Sequence, residues 1–165
     1  MLIFHIDHCE TKFLTNSYKI QQPLPIQLYY AIFSPRILEI MDLQKTVMII
    51  EDEPDAAEMF AEMMRVNGFR VLKMFSSAPA IPIIAQEKPD IIILDIMMPD
   101  ISGLEVLRYL RREPDLLSIP VIVVSAKGMP GDIKTGIEAG ASMYLTKPVG
   151  FLDLKQAVEQ VLHKV

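Results

Sequence analysis

Short apolar runs alternate with longer amphipathic segments along the chain from residue 46 onward. Most of the runs are continuous stretches of Val, Ile, Leu and Met rather than alternating apolar and polar positions. A continuous run of this length is typical of a strand that is buried on both faces, as in a parallel sheet. The runs predict five strands, at residues 47–50, 69–74, 91–94, 121–124 and 143–145.

Each predicted strand is followed by a segment whose apolar residues recur at helical spacing. The predicted helices span residues 54–66, a segment that ends near residue 86, and residues 103–112, 132–138 and 152–162. Pro79 and Pro82 fall in the second of these segments. Because proline inside a helix removes a hydrogen bond and clashes with the preceding turn, we expect this helix to begin late or to have a distorted first turn.

Five successive strand–helix units predict an α/β fold with a parallel sheet and helices on both faces. Right-handed crossovers leave few arrangements for such a chain. We expect a flavodoxin-like, doubly wound five-stranded sheet of order 2-1-3-4-5 with five helices.

Residues 1–45 differ from the rest, because no period is sustained there and prolines interrupt the segment. We therefore expect an N-terminal extension at 1–45 and a folded domain at 46–165. One interpretation is that translation naturally begins at Met41, so that the first forty residues reflect a choice of start codon. The other is a genuine appended segment. The extension also contains one short patch of residue types that can bind a metal, namely His5, Asp7, His8 and Cys9. Without a second group of ligands, this patch is weak evidence for a metal site.

Composition excludes several classes of protein. The 165 residues carry a net charge of −5 and are 51% hydrophobic, which suffices for a sizeable core and offers no basic patch for direct nucleic-acid binding. Cys9 is the single cysteine, so no intrachain disulfide forms, in keeping with a cytoplasmic location. No apolar run approaches the roughly 18 residues of a membrane span, so we expect no membrane contact.

Reactive side chains follow four of the five predicted strands. Glu51 and Asp52 follow the first, Asp95 the third, Ser125 the fourth and Lys147 the fifth. The carboxyl ends of parallel strands share one edge, where open sheets bind ligands. Clustered carboxylates need a cation, and carboxylate oxygens suit Mg²⁺. The Ser125 hydroxyl and the Lys147 ammonium at the same edge would complete a site that suits a phosphoryl group. Taken singly, each residue also fits a helix-capping or solvated surface role.

The strand-end residues stand in four motifs: Glu51-Asp52, Asp95 with Pro99 and Gly103, Ser125-Ala126, and Lys147-Pro148. In these motifs, residues 46–165 resemble the receiver domain of two-component response regulators. The resemblance implies that Asp95 accepts a phosphoryl group from a phosphohistidine on a partner kinase or phosphotransfer protein. It also implies that Asp52, Asp95 and the backbone carbonyl of Met97 bind Mg²⁺ directly, while Glu51 acts through water.

The resemblance assigns further roles. Ser125 hydrogen-bonds the phosphoryl oxygen, Lys147 pairs with it, and the Lys147–Pro148 peptide bond is cis. Tyr144 matches an aromatic switch that turns inward when the Ser125 hydroxyl moves to the phosphate. Glu51 stands where Asp is usual in the family, and Ser125 stands where Thr is usual. The resemblance implies that the first change spares metal binding and that the second is tolerated.

No output domain follows the last predicted helix, so we expect a stand-alone receiver that signals by protein contacts rather than by enzymatic turnover. The partners expected are a histidine kinase or phosphotransfer protein, a downstream protein, and a second copy of the chain, using the last two helices and last strand. A phosphatase with a nucleophilic aspartate is a poorer fit, because Met97 stands where its second acid is needed. The remaining alternative is a receiver-like adaptor that is never phosphorylated.

Overall fold

The computed structural model describes residues 44–163. The candidate metal patch His5, Asp7, His8 and Cys9 and the question of a start at Met41 lie outside these residues. The described part contains five strands and five helices in strict alternation. They are β1 (Thr46–Ile50), α1 (Pro54–Val66), β2 (Arg70–Met74), α2 (Ser77–Glu87), β3 (Ile91–Leu94), α3 (Gly103–Arg112), β4 (Val121–Ser125), α4 (Pro130–Glu138), β5 (Met143–Thr146) and α5 (Phe151–Leu162).

The strands form one sheet of order β2-β1-β3-β4-β5, and every neighbouring pair is parallel. The predicted fold is therefore confirmed. The register pairs Ile50 with Leu94, and the Asp95 N–H donates to the Ile50 carbonyl at 2.9 Å. The residues that follow β1 and β3 thus emerge at the same level of the sheet. No helix within residues 44–163 has the length and apolar character needed to cross a bilayer.

Successive strand residues point to opposite faces and fill two apolar cores. On one face Met48, Ile92 and Val123 pack with residues of α2 and α3. On the other face Val47, Ile93 and Val124 pack with residues of α1 and α5. Both faces of β1, β3 and β4 are buried, which explains why these strands lack the alternation of a half-exposed sheet.

Helix α2 corrects one expectation, because it runs without interruption from Ser77 and does not begin late. Pro79 lies in the first turn, where its missing N–H would have no partner within the helix. Pro82 deprives only the carbonyl of Ala78 of its bond, and Ala78 is exposed to water. The helix therefore tolerates both prolines.

Arg111, near the end of α3, joins the loops at the amino edge of the sheet. Its Nε donates to the Gly140 carbonyl at 2.9 Å, and its Nη1 donates to the carbonyls of Leu117 and Ile119 at 3.1 and 3.0 Å. Burial lowers the pKa of this guanidinium. One side chain thus ties the α3–β4 loop to the end of α4, at the edge of the sheet opposite the strand-end acids.

Candidate phosphoacceptor site

Asp95 lies at the carboxyl end of the central strand β3 and is 5% exposed. Helix α3 packs against its backbone, because Gly103 has no side chain. A Cβ at Gly103 would clash with the Asp95 carbonyl oxygen and lie 2.7 Å from the Ile96 Cα. The Ser102 hydroxyl donates to the Ile96 carbonyl at 3.4 Å, which holds the loop after Asp95 against the same helix end.

Lys147 connects the ends of β1, β3 and β5. Its Nζ lies 2.7 Å from Asp95 Oδ2 and 2.8 Å from Glu51 Oε2. Glu51 lies 96 positions before Lys147 in the chain, and Asp95 lies 52 positions before it. Because a buried carboxylate is costly without a partner, this shared ammonium stabilises both acids where the sheet edge holds them. The Lys147–Pro148 peptide bond is cis.

The pKa shifts in this cluster have distinct causes. Desolvation raises the pKa of Glu51 above its usual value, and Lys147 opposes that shift only in part. Desolvation by itself would lower the pKa of Lys147, but its bonds to Asp95 and Glu51 outweigh it and raise the pKa. The ammonium is therefore held charged at neutral pH, which gives the site a fixed positive group for an incoming anion.

Three carboxylates form the acidic part of the site. Oxygens of Glu51, Asp52 and Asp95 all lie within 4.8 Å of one another, with Glu51 and Asp95 buried and Asp52 exposed. Hard oxygen donors that face solvent on one side fit Mg²⁺, which takes few carboxylates and keeps several waters. The Met97 N–H donates to Asp95 Oδ1 at 2.8 Å, so the backbone of Met97 lies beside the same carboxylate.

Ser125 ends β4 as a fully buried hydroxyl, which accepts a hydrogen bond from the Lys127 N–H at 3.2 Å. The Tyr144 hydroxyl donates to the Lys127 carbonyl at 2.7 Å. Both predicted switch residues, Ser125 and Tyr144, thereby hold the β4–α4 loop. Burial raises the pKa of the Tyr144 phenol.

Gly136 of α4 is a residue near the site that sequence reasoning missed. A Cβ placed there would lie 2.6 Å from Cδ2 and 2.8 Å from Cε2 of the Tyr144 ring. The ring therefore lies directly against the helix backbone. The only signal in the sequence is a glycine in the middle of a predicted helix, which is unfavourable unless packing requires it.

The structure brings five predicted side chains to one edge of the sheet, namely Glu51, Asp52, Asp95, Ser125 and Lys147. Tyr144 lies on β5 beside them. The fold and this edge together define the class: a doubly wound α/β domain with an aspartate, a lysine and clustered acids at the ligand-binding edge of its sheet, an arrangement that suits phosphoryl chemistry.

Comparison with known proteins names the family. The response regulator receiver domain matches residues 47–159, and the chain belongs to this family. It is 34% identical over 107 residues to the polar-differentiation response regulator DivK of Brucella ovis, covering 65% of this chain and 87% of DivK. It is 36% identical over 120 residues to the phosphate regulon transcriptional regulatory protein PhoB of Pseudomonas aeruginosa. That match covers 73% of this chain and 52% of PhoB, so the chain spans about half the length of that relative.

Among solved structures, the fold is similar to the signal receiver domain of a signal transduction histidine kinase from Syntrophus aciditrophicus. The TM-score is 0.68 at 30% identity, over 73% of this chain and 92% of that one. Receiver domains are the phosphoacceptors of two-component signalling, and the chain has this general role.

Proposed function

We propose that Asp95 is the phosphoacceptor of a receiver that takes its phosphoryl group from a histidine kinase or histidine phosphotransfer protein. The observation that carries the proposal is the buried Asp95 carboxylate, held at 2.7 Å by Lys147 at the open edge of the sheet. In the transfer, a carboxylate oxygen of Asp95 forms a bond to phosphorus, and the bond between phosphorus and the donor imidazole nitrogen breaks. The product is an aspartyl phosphate and a neutral imidazole after proton exchange with water.

The residues of the site divide the work of the transfer. Lys147 would pair with a phosphoryl oxygen, and the Ser125 hydroxyl would donate to another. Asp52, Asp95 and the Met97 carbonyl would hold Mg²⁺, with Glu51 acting through water. Bound there, Mg²⁺ would neutralise charge on the phosphoryl oxygens. Positioning and charge neutralisation are most of what phosphoryl transfer requires of a protein.

The readout of the proposed signal is a protein contact that the receiver domain makes in the cytoplasm. Ser125 and Tyr144 both bond to Lys127, so a move of the Ser125 hydroxyl toward a phosphate changes the loop that leads into α4. We place the output face on α4, β5 and α5, which carry the exposed apolar Ile137 and Leu152. A downstream protein or a second copy of the chain would bind this face.

Incubation with acetyl phosphate and Mg²⁺, followed by intact-mass measurement, tests the proposal. Wild type should gain one phosphoryl adduct, and Asp95→Asn should gain none, because the substitution removes the nucleophile and little volume. Asp115→Asn, at an exposed acid of the α3–β4 loop, is the matched control and should be modified like wild type. Absence of an adduct on wild type would favour the adaptor alternative, and an equal adduct on Asp95→Asn would place the acceptor elsewhere.

A further inference from the structure

The carboxylate of Asp100, in the loop between β3 and α3, caps the N-terminus of α2. Its Oδ2 accepts from the Ser76 hydroxyl at 2.6 Å and from the Ala78 N–H at 2.8 Å, and its Oδ1 accepts from the Ser77 N–H at 3.3 Å. These donors belong to the start of α2, more than twenty positions earlier in the chain.

Helix α2 depends on this distant acid. Its own N-cap residue, Ser76, makes no capping bond to the helix, since the Ser76 hydroxyl donates to Asp100 instead. The first N–H groups of a helix lack internal partners and favour a negative charge. The Ser76 hydroxyl and these backbone donors hold the pKa of Asp100 far below its usual range, so the carboxylate stays ionised at neutral pH.

The same loop begins at the phosphoacceptor. Asp95 Oδ1 accepts from the Met97 N–H at 2.8 Å, and only Met98 and Pro99 separate Met97 from Asp100. Met98 is buried, and the ring of Pro99 fixes its backbone φ angle. A span of two constrained residues has little freedom to absorb a shift at one end. The position of the Met97 backbone is thus set at one end by Asp95 and at the other by Asp100.

We propose that Asp100 is a positioning residue that holds the Met97 backbone carbonyl at the metal site by tying its loop to the start of α2. The inference rests on the proposed function, because it takes Met97 as a Mg²⁺ ligand. Asp100 does not itself touch the reacting groups. Its role is to keep the loop from moving away from the Glu51, Asp52 and Asp95 oxygens.

Calorimetric Mg²⁺ titration of the full-length protein tests this role without relying on activity. Asp100→Ala should weaken Mg²⁺ binding by about tenfold, which is about 1.4 kcal/mol, by releasing the loop. Asp100→Asn should lie between wild type and Asp100→Ala, since asparagine keeps one capping oxygen. Hydrogen exchange at residues 96–101 should rise in the same order.

A control separates positioning from a general loss of stability. Ala85→Gly, at an exposed site in the same helix, should lower the melting temperature of the protein through its poorer helix propensity and leave Mg²⁺ affinity unchanged. Equal Mg²⁺ affinity in Asp100→Ala and wild type would overturn the positioning role and leave the proposed function standing. A wild type that bound no Mg²⁺ would overturn this inference, and a phosphoryl adduct formed without the metal would show that Asp95 still serves as acceptor.

Discussion

Both oxygens of Asp95 are engaged before any phosphoryl group arrives. Oδ1 accepts from the Met97 N–H and Oδ2 from the Lys147 ammonium, so the carboxylate plane is fixed by two partners on different elements. A carboxylate held in this way loses little orientational freedom when it reacts, and its neighbours are already aimed at the developing charge. The chemistry proposed for Asp95 would therefore depend on one backbone group and one side chain that the fold places in advance.

We expect the phosphorylated state to lose its phosphoryl group slowly. By resemblance to the family, the side chains of Met97 and Lys127 flank the path of the attacking water. Met97 is half exposed and has no group that orients a water molecule, and a charged Lys127 offers donors only. Met97→Asn should speed decay of the adduct severalfold, followed by intact mass over time after removal of the phosphodonor.

Met129→Asn is the matched control for that measurement. Met129 is another exposed methionine, at the start of α4, and its substitution should leave the decay rate unchanged. A decay rate in Met97→Asn equal to or below that of wild type would remove Met97 as the cause of a long lifetime.

Helix α4 and strand β5 meet where the ring of Tyr144 lies on Gly136. Alanine in a helix interior is favoured over glycine by up to about 1 kcal/mol, but at this position the added Cβ would lie 2.6 Å from the ring. Gly136→Ala should therefore stabilise the protein by about 1 kcal/mol in a Tyr144→Ala background and by clearly less, or not at all, in wild type. Urea denaturation of wild type, Gly136→Ala, Tyr144→Ala and the double variant gives the four free energies of unfolding that this comparison needs.

The cycle has a clear contrary outcome. The three atoms nearest to the added Cβ all belong to Tyr144, so the ring alone opposes the substitution. An equal gain in both backgrounds would show that Tyr144 does not restrict this position, and the contact would have no part in setting the ring's orientation.

The elements and the site differ in how far the sequence predicts them. Strands β1, β3 and β4 are predicted because burial of both faces leaves a continuous apolar run. The strand-end residues meet because parallel strands share a carboxyl edge. The start of α2 could not be predicted, since its cap comes from Asp100 in a distant loop. Local patterns likewise do not show that Lys147 bonds Glu51 as well as Asp95, or that Tyr144 bonds Lys127.

A chain that begins at Met41 should fold and bind Mg²⁺ as the 165-residue chain does. All five strand–helix units lie within the described residues 44–163, and both apolar cores are formed by those units. Thermal melting and Mg²⁺ titration of the two chains should agree closely. A large loss of melting temperature in the shorter chain would contradict this expectation and show that the first forty residues contribute to stability.

A chain that begins at Met48 is the informative control. It lacks Thr46 and Val47 of β1, which lies between β2 and β3 in the sheet. Since Val47 is fully buried and pairs with strands on both sides, we expect this shorter chain to be strongly destabilised. Two close truncations with opposite outcomes would place the start of the domain between residues 41 and 48.

The three hydrogen bonds from Arg111 to backbone carbonyls anchor one end of α4 and leave the other end free of them. They fasten Gly140, just beyond the end of α4, to the loop that precedes β4, whereas the start of α4 is reached only through the loop held by Ser125 and Tyr144. We therefore expect a displacement that begins at the proposed phosphoacceptor site to be largest at the first turn of α4 and smallest at Gly140. In the proposed switch, α4 would pivot about the end that Arg111 anchors, and a partner that contacts the first turn of α4 would sense the largest movement.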